Sequence, residues 1–177
     1  MKKPIFILAS ASVVLIILIF TFQMKAQKVS YKPVNHFKLN RYLGTWYEIA
    51  RFDHSFERGL TDVTAYYEMR EDGKVRVINK GMKNGKESRA EGKAKLHGDA
   101  EAGHLKVSFF WIFYADYIIL YLYDNYEFAV VTSSADYLWF LCRNPHPGET
   151  VIHKMKEVAV QNGFDLEKLI WVTHSKL

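Results

Sequence analysis

Short runs of apolar or alternating residues recur between positions 45 and 143, and turn-forming residues separate them. Asp72-Gly73 and Asn84-Gly85 are pairs that favour tight hairpins between neighbouring strands. Because the runs are evenly spaced and closely connected, they predict an all-β fold, an eight-stranded up-and-down antiparallel barrel. Closure into a barrel removes the edges that an open sheet would expose. The predicted strands cover residues 45–52, 61–70, 75–82, 88–97, 105–110, 117–123, 128–133 and 137–143.

The hydrophobic period changes after the eighth run. Apolar residues there follow the spacing of one helix face, at Val151, Met155, Val158 and Ala159. Asn162-Gly163 then supplies a helix-ending signal. The pattern predicts one C-terminal α-helix packed outside the barrel, followed by a last short strand over residues 169–173.

The N-terminal segment is predicted to be an apolar helix that meets a membrane. Ile5–Phe22 is a run of 18 residues without a charge, and lysines precede it. A secretory signal has this layout, but its apolar centre is usually shorter, and this run is near the minimum length that spans a bilayer. Cleavage after Ala26 would place Met24, and not a small residue, two positions earlier. The segment 1–28 is therefore a signal peptide or, as we favour, an uncleaved signal-anchor, and residues 29–177 form the folded domain.

Charge and cysteine content exclude several classes of protein. The net charge of +5 comes from five lysines among residues 1–32, whereas residues 33–177 carry 19 basic and 19 acidic side chains. The folded domain thus lacks the basic surplus that nucleic-acid binding needs. Cys142 is the only cysteine, which excludes an intrachain disulfide and a multi-cysteine metal site. No catalytic motif is present, and we expect no enzyme activity, cofactor or metal.

Three short motifs lie on the predicted strands and their connections. They are G-x-W-Y at Gly44–Tyr47, D-x-Y-x-x-A at Asp124–Ala129 and R-x-P at Arg143–Pro145. Their order and spacing resemble those of the lipocalin family over residues 36–173. The stretches 41–60, 77–81 and 106–110 are similar to the bacterial, outer-membrane-lipoprotein-like subfamily.

The resemblance implies that six motif residues are structural: Gly44, Trp46, Tyr47, Asp124, Tyr126 and Arg143. We expect Trp46 to plug the closed end of the barrel. The guanidinium of Arg143 is expected to lie across the indole ring as a cation–π partner and to donate to carbonyl groups of the segment that seals the base. These residues would build the floor of the barrel and leave ligand contact to others.

The subfamily also implies a function, the binding of fatty acids, lysophospholipids or similar lipids at the cell envelope. Its members usually carry an acylated cysteine at the end of the signal, and this chain has no cysteine before Cys142. We therefore expect a membrane-associated domain that faces the periplasm, held by the N-terminal segment and not by a lipid anchor.

Alternation along the strands predicts which side chains point into the barrel. Val63 and Tyr137 are expected inside, and the residues predicted to contact the ligand are Glu48, Ala50, Ala65, Tyr67, Val77, Asn79, Val107, Phe109, Ile119, Tyr121 and Trp139. The set is mostly apolar and aromatic, as a ligand with an acyl tail requires. Glu48 and Asn79 are polar, and they are either ligand contacts or partners of each other or of a buried water.

Two segments are predicted to lie near the open end. The apolar run Phe109–Tyr114 is either a surface for the membrane or a homodimer, or a lid over the entrance. The loop Asp53–Gly59 carries His54 and Arg58, which either meet an anionic head group or are simply solvated.

Two other functions remain open. The barrel could carry another hydrophobe, such as a tetrapyrrole. It could also be a lipid-modifying enzyme that uses Cys142, although alternation turns this thiol towards the C-terminal helix, which favours a packed structural cysteine.

Overall fold

The computed structural model describes residues 30–175, so the predicted N-terminal helix and its boundary at residue 28 lie outside the described part. Residues 30–175 contain nine strands, and the first eight form an antiparallel meander. The strands are β1 (Gly44–Phe52), β2 (Thr61–Met69), β3 (Val75–Lys83), β4 (Lys86–Leu96), β5 (His104–Phe110), β6 (Phe113–Leu122), β7 (Phe128–Ser134), β8 (Tyr137–Cys142) and β9 (Leu169–Trp171).

The sheet closes on itself because β1 pairs with both β2 and β8. The first half of β1 pairs with β2, at Gly44–Tyr47, and its second half pairs with β8 and β9. The short strand β9 therefore takes the place of β2 beside the end of β1. The predicted eight-stranded antiparallel barrel is confirmed.

A C-terminal helix covers one outer face of this barrel. Helix α1 (Leu39–Tyr42) lies before β1, and α2 (Glu149–Gln161) follows β8. The apolar stripe of α2 buries Met155, Val158 and Ala159 against the outer side of the barrel wall. Burial of one stripe stabilises a helix that would be marginal on its own. The predicted outer helix is confirmed.

Two apolar cores result, one on each side of the wall. The inner core contains Trp46, Tyr67 and Val77 and lies within the barrel. The outer core lies beneath α2 and contains Phe140 and Cys142. Within residues 30–175, no helix is long and apolar enough to cross a bilayer.

Strand boundaries agree with the predicted ones to within two residues except in β6. This strand begins at Phe113, four positions before the predicted start, and continues the β5 hairpin through the pair Phe110 and Phe113. The sequence pattern did not indicate this extension, because the charged Asp116 interrupts the run of apolar residues. Oδ1 of Asp116 lies 2.8 Å from Nζ of Lys106 on β5, so this ion pair supports the strand pairing.

Candidate functional site

One end of the barrel is closed by an arginine that lies on a tryptophan. Trp46 is fully buried, and its Nε1 donates a 2.8 Å hydrogen bond to the carbonyl oxygen of Tyr42. The guanidinium carbon of Arg143 lies 3.9 Å from the centre of the indole ring. Its nitrogens donate to the carbonyl oxygens of Thr45 at 2.6 Å and Leu43 at 2.8 Å, among others. One charged side chain thus satisfies the backbone at the point where α1 turns into β1.

The other motif residues lie around this closed end. Gly44 begins β1 with a φ of +89°, and the hydroxyl of Tyr126 accepts a 2.7 Å hydrogen bond from the backbone of Lys38. The carbonyl of Asp124 accepts from Arg41, whose guanidinium lies 4.2 Å from the Tyr126 ring centre. Tyr47 differs from these residues, because it packs against the outer core.

A layer of tyrosine hydroxyls lies above the closed end. The hydroxyl of Tyr117 lies 2.7 Å from that of Tyr42 and 2.9 Å from that of Tyr67. Burial raises the pKa of all three phenols. They therefore stay neutral and hydrogen-bonded to each other, and they form the polar base of the space above.

A cavity of about 270 Å³ occupies the barrel above this layer. A second lobe of about 270 Å³ extends towards β4, and both lobes are lined by Phe56, Glu57, Val63, Asn79 and Phe109. The first lobe is bounded by aliphatic and aromatic side chains with few polar groups among them. A space of this size and lining suits a small hydrophobic ligand.

Eight of the eleven residues predicted to contact a ligand line the first lobe. They are Glu48, Ala65, Tyr67, Val77, Asn79, Val107, Phe109 and Trp139. Val63 and Tyr137, which were also predicted to point inwards, line it too. Whether these side chains touch a ligand stays a prediction.

The structure contradicts the predicted inward positions of two of the other three, Ala50 and Tyr121. Ala50 is buried in the outer core, because the pairing of β1 with β8 shifts register between Glu48 and Ala50. Tyr121 packs against the same outer core after a shift between Ile119 and Tyr121 in the pairing of β6 with β7. Each irregularity breaks the strict alternation and exchanges the inner and outer faces.

Ile119 does point into the barrel, but it does not line the cavity. It belongs to the fully buried inner core, and its carbonyl oxygen accepts a 2.9 Å hydrogen bond from Val34. The segment that precedes α1 therefore covers this residue.

A buried cluster of charged groups forms one side of the site. Nη1 of Arg51 donates to Oε1 of Glu48 at 2.8 Å, and its Nη2 donates to the carbonyl oxygen of Glu57 at 2.6 Å. Nε2 of His54 lies 2.9 Å from Oε2 of Glu57, and Nε1 of Trp139 donates to the same oxygen at 3.2 Å. Arg51 is 1% exposed and Glu48 is 4% exposed.

This environment changes the acidity of Glu48. Burial raises the pKa of its carboxyl to about 8, and the nearby Glu57 carboxyl acts in the same direction, whereas Arg51 opposes the change. The guanidinium pairs with the carboxyl of Glu48 alone, and the buried Glu57 carboxyl lies nearby, so a second negative charge is unfavourable there. We therefore assign a proton to Glu48 at neutral pH.

Sequence patterns missed most of this cluster. The register shift after Glu48 turns Arg51 inwards, and no local signal in the sequence marks that shift. The loop after β1 carries His54 and Glu57 back into the barrel, although polar residues in a loop usually indicate solvent exposure. His54 is therefore buried, whereas Arg58 is exposed and paired with Asp53 at 2.8 Å. Glu48 pairs with Arg51 and not with Asn79.

The apolar run in the β5–β6 hairpin stands free at the open end. Phe110 is 72% exposed and Trp111 is 80% exposed, and Ile112 and Phe113 are similarly open. These exposed side chains do not fold over the entrance, so of the two alternatives the structure favours an exposed surface over a lid. Phe56, on the loop after β1, is a further exposed aromatic residue near the opening.

Cys142 lies on the other side of the barrel wall from the cavity. Its side chain is buried in the outer core beneath α2, as alternation predicts. Burial also raises the pKa of the thiol, which keeps it in the less nucleophilic form.

Several curated proteins are similar to this chain over most of its length. The outer membrane lipoprotein Blc of Escherichia coli K12 is 50% identical over 142 residues, which cover 78% of this chain and 80% of that protein. The Blc protein of Vibrio cholerae is 46% identical, with 81% of this chain and 86% of that protein covered. Bovine apolipoprotein D is 36% identical over 80% of each chain.

These names correct one expectation. The lack of a cysteine before Cys142 led us to expect a domain without a lipid anchor. Relatives that are 46–50% identical are named outer membrane lipoproteins, and these names contradict the expectation of a domain without a lipid anchor.

Solved structures and a family model agree on the fold. Insecticyanin from the tobacco hornworm Manduca sexta superimposes with a TM-score of 0.70 at 22% identity, covering 83% of this chain and 86% of that one. The model of the lipocalin-like domain matches residues 37–174. With its closed eight-stranded barrel, its outer helix and its arginine–tryptophan floor, the chain belongs to the lipocalin family.

Proposed function

We propose that this domain binds a single-chain lipid, a fatty acid or a lysophospholipid, and transports or stores it at the bacterial cell envelope. The observation that carries the proposal is the cavity, which is closed by Trp46 and Arg143 at one end and is bounded mainly by apolar side chains. An acyl chain is the ligand part that such a lining suits best. The Glu48–Glu57 cluster provides a place for a polar end.

The names of the similar proteins support the envelope location. Three relatives that are 46–50% identical are called outer membrane lipoproteins. We favour a binding protein over an enzyme that uses Cys142, because this residue packs beneath α2, away from the cavity. An enzyme that used this thiol would need it inside the barrel, within reach of the ligand.

We propose further that the β5–β6 hairpin, Phe110–Phe113, contacts the membrane. Its four apolar side chains are largely exposed at the open end of the barrel, beside the entrance to the cavity. Two lysines, Lys83 and Lys86, lie at the β3–β4 turn on the same end. Aromatic residues with nearby lysines favour the surface of an anionic bilayer. Self-association through the same hairpin is the competing outcome.

The binding proposal is tested by titration of the folded domain, residues 29–177, after delipidation. We expect a fatty acid or a lysophospholipid to change the fluorescence of Trp139 in a saturable manner, because its ring lines the cavity. The fluorescence change should be lost in a Trp139→Phe variant, which assigns the signal to this residue. No saturable binding of either lipid by folded protein would contradict the proposal. A coloured preparation would instead favour a tetrapyrrole.

The membrane proposal needs a separate measurement. We expect the double variant Phe110→Ser, Trp111→Ser to lose binding to anionic vesicles while its melting temperature and lipid affinity stay unchanged. Val160→Ser is a matched control, since Val160 is an exposed apolar residue on α2 and not in the hairpin. Sedimentation of the unmodified domain without vesicles tests the alternative. A stable dimer that the double variant abolishes would contradict a membrane role for the hairpin.

A further inference from the structure

The outer side of β4 and β5 carries a group of lysines. Ala94 belongs to the inner core, so its chain neighbours Lys93 and Lys95 point to the outside of the barrel. Lys95 pairs directly with Lys106 on β5, and like charges opposite each other destabilise a sheet. Lys93, Lys95 and Lys106 are called the lysine wall below. An anion bound on this face would offset the cost of the repulsion.

Two acids beside the lysine wall are already paired. Glu91 on β4 lies 2.7 Å from Nε of Arg76 and 2.9 Å from Nη2 of Arg89. Oδ1 of Asp116 on β6 lies 2.8 Å from Nζ of Lys106. Within residues 30–175, the two lysines of the wall on β4 form no ion pair. Their positive charges are therefore not balanced by the sheet that carries them.

A tyrosine ring holds these two ammonium groups side by side. Nζ of Lys93 lies 5.8 Å from the centre of the Tyr114 ring, and Nζ of Lys95 lies 5.0 Å from it. A ring at this distance attracts a cation, but only weakly at a solvated site. The ring thus orients both groups and leaves their charge available to an anion.

The lysine wall begins directly below the exposed hairpin Phe110–Phe113. Lys93 pairs with Ser108, whose Oγ donates a 3.4 Å hydrogen bond to the carbonyl oxygen of Trp111. A strand rises about 3.3 Å per residue, so Lys93 lies roughly 7 Å along the strand from the hairpin, and the other two lysines lie about 13 Å from it. The head-group layer of a bilayer is roughly 5–8 Å deep on each side. A hairpin that reaches the acyl boundary therefore places Lys93 among head groups, and a tilt towards this side brings the other two to the same layer.

We propose that the lysine wall binds the phosphate groups of an anionic bilayer, and that the barrel docks tilted, with the outer side of β4 and β5 towards the membrane. The inference rests on the proposed membrane contact of the β5–β6 hairpin and adds an electrostatic part to that surface. An ammonium group close to a phosphate forms a charge-assisted hydrogen bond, and each cation near an anionic surface strengthens binding.

Charges on the opposite side of the open end favour the same tilt. Asp136 is exposed in the β7–β8 turn, whereas Asp53 in the loop after β1 is paired with Arg58. In the order of strands around the barrel, β8 and β1 lie across from β4 and β5. An anionic surface repels Asp136 and attracts the lysine wall, so the two sides of the open end approach it unequally.

The test measures binding of the folded domain, residues 29–177, to two kinds of vesicle. The barrel closes and both cores are complete within residues 30–175, so the domain is used without the N-terminal segment. One kind of vesicle is pure phosphatidylcholine, and the other is an equal mixture of phosphatidylcholine and phosphatidylglycerol. Sedimentation with the vesicles gives the affinity for each.

The double variant Lys93→Gln, Lys95→Gln removes the two lysines that have no acid partner within residues 30–175 and keeps the one that pairs with Asp116. We expect it to bind the mixed vesicles roughly tenfold more weakly than the wild type does. Its binding to pure phosphatidylcholine should equal that of the wild type, because the hairpin is intact. In about 1 M salt the difference on mixed vesicles should largely disappear, since salt screens solvated charges.

Two control variants separate this surface from net charge and from an upright orientation. Lys156→Gln, Lys168→Gln removes the same charge from α2 and the segment after it, and Lys156 likewise lies over a ring, 5.1 Å from the centre of Trp171. This variant should bind mixed vesicles as the wild type does. Asp136→Asn should also leave the affinity unchanged, whereas upright docking would bring Asp136 to the anionic surface, and its removal would then tighten binding.

Four outcomes would decide against the inference. Wild-type affinity of the Lys93→Gln, Lys95→Gln variant for mixed vesicles would overturn it and leave the hairpin proposal intact. Equal weakening in both lysine double variants would show that only net charge matters, and tighter binding of Asp136→Asn would contradict the tilt. If the wild-type domain bound neither kind of vesicle, the membrane proposal would fail together with the inference. Circular dichroism confirms that each variant is folded in these comparisons.

Discussion

The guanidinium of Arg143 lies flat on Trp46, 3.9 Å from the centre of the indole ring, and joins the end of β8 to the start of β1. Within residues 30–175 the same guanidinium donates only to backbone carbonyl oxygens, those of Arg41, Tyr42, Leu43, Thr45 and Tyr126. This pair therefore holds the barrel closed, and stability should depend on it more than ligand choice does.

Arg143→Ala should lower the melting temperature with little change in ligand preference. The cation–π contact is worth about 1–2 kcal/mol when desolvated, and the freed carbonyls add to the loss. For a total of about 3 kcal/mol we expect a decrease of roughly 10 °C in a domain of this size. Arg41→Ala, which removes an exposed guanidinium from above the buried Tyr126 ring, is a milder control. Loss of lipid binding at unchanged stability would contradict a floor role.

The stability of the domain should fall as the pH rises from about 5 to 8. The folded-state pKa of Glu48, about 8, exceeds its value of 4.5 in the unfolded chain, so the folded protein holds a proton that the unfolded chain releases. This contribution is complete below the unfolded pKa and is lost as the pH rises through the folded pKa. Its size is on the order of 5 kcal/mol.

The measurement is the melting temperature against pH for the wild type and Glu48→Gln. The variant keeps a neutral side chain beside Arg51, Glu57 and His54, and the phenol of Tyr67 also faces this group, so the pH slope assigned to Glu48 should disappear. Glu68→Gln changes an exposed glutamate on β2 and should keep the slope. An equal slope in the wild type and Glu48→Gln would show that another group titrates.

Gly92→Ala should destabilise the barrel at the β4–β5 contact. A Cβ at Gly92 would lie 2.5 Å from the carbonyl oxygen of Ser108 and 2.8 Å from Cδ1 of Phe109. Overpacking of this kind costs roughly 1–3 kcal/mol. Because Phe109 lines the cavity, lipid affinity should change as well. Chemical denaturation measures the first effect, and Gly148→Ala, where a Cβ meets no atom within 4 Å, is the control.

Cys142 should react slowly with thiol reagents in the native protein. It is 4% exposed, and burial raises the pKa of its thiol, so little thiolate forms near neutral pH. Labelling should become fast only when the protein is unfolded in guanidinium. Cys142→Ala should keep lipid binding. Rapid native labelling that a bound lipid blocks would contradict the position of this residue outside the cavity.

Local patterns are sufficient to predict the architecture of this protein. Hairpin signals and period-two runs predict the eight strands, and the stripe of Met155, Val158 and Ala159 predicts the outer helix. The resemblance of the three motifs to those of the lipocalins places Trp46 and Arg143 at the closed end. Each of these features depends on neighbouring residues or on a strand end, where a few positions determine the geometry.

The charged cluster could not be predicted in this way. Two register irregularities exchange the inner and outer faces of β1 and β6, so Ala50 and Tyr121 turn outwards while Arg51 turns inwards. A bulge depends on the pairing of two strands, and no single run of residues records it.

The order of the residues thus predicts a closed barrel with an apolar interior, because alternation and turn signals act over short distances. Only the tertiary structure decides what that interior can hold. Glu57 meets Trp139 across 82 positions of the chain, and Arg51 holds Glu57 and Glu48 together on one side of the cavity. Such contacts arise when a loop folds back into a closed barrel, and burial then changes the acidity of the groups that meet there.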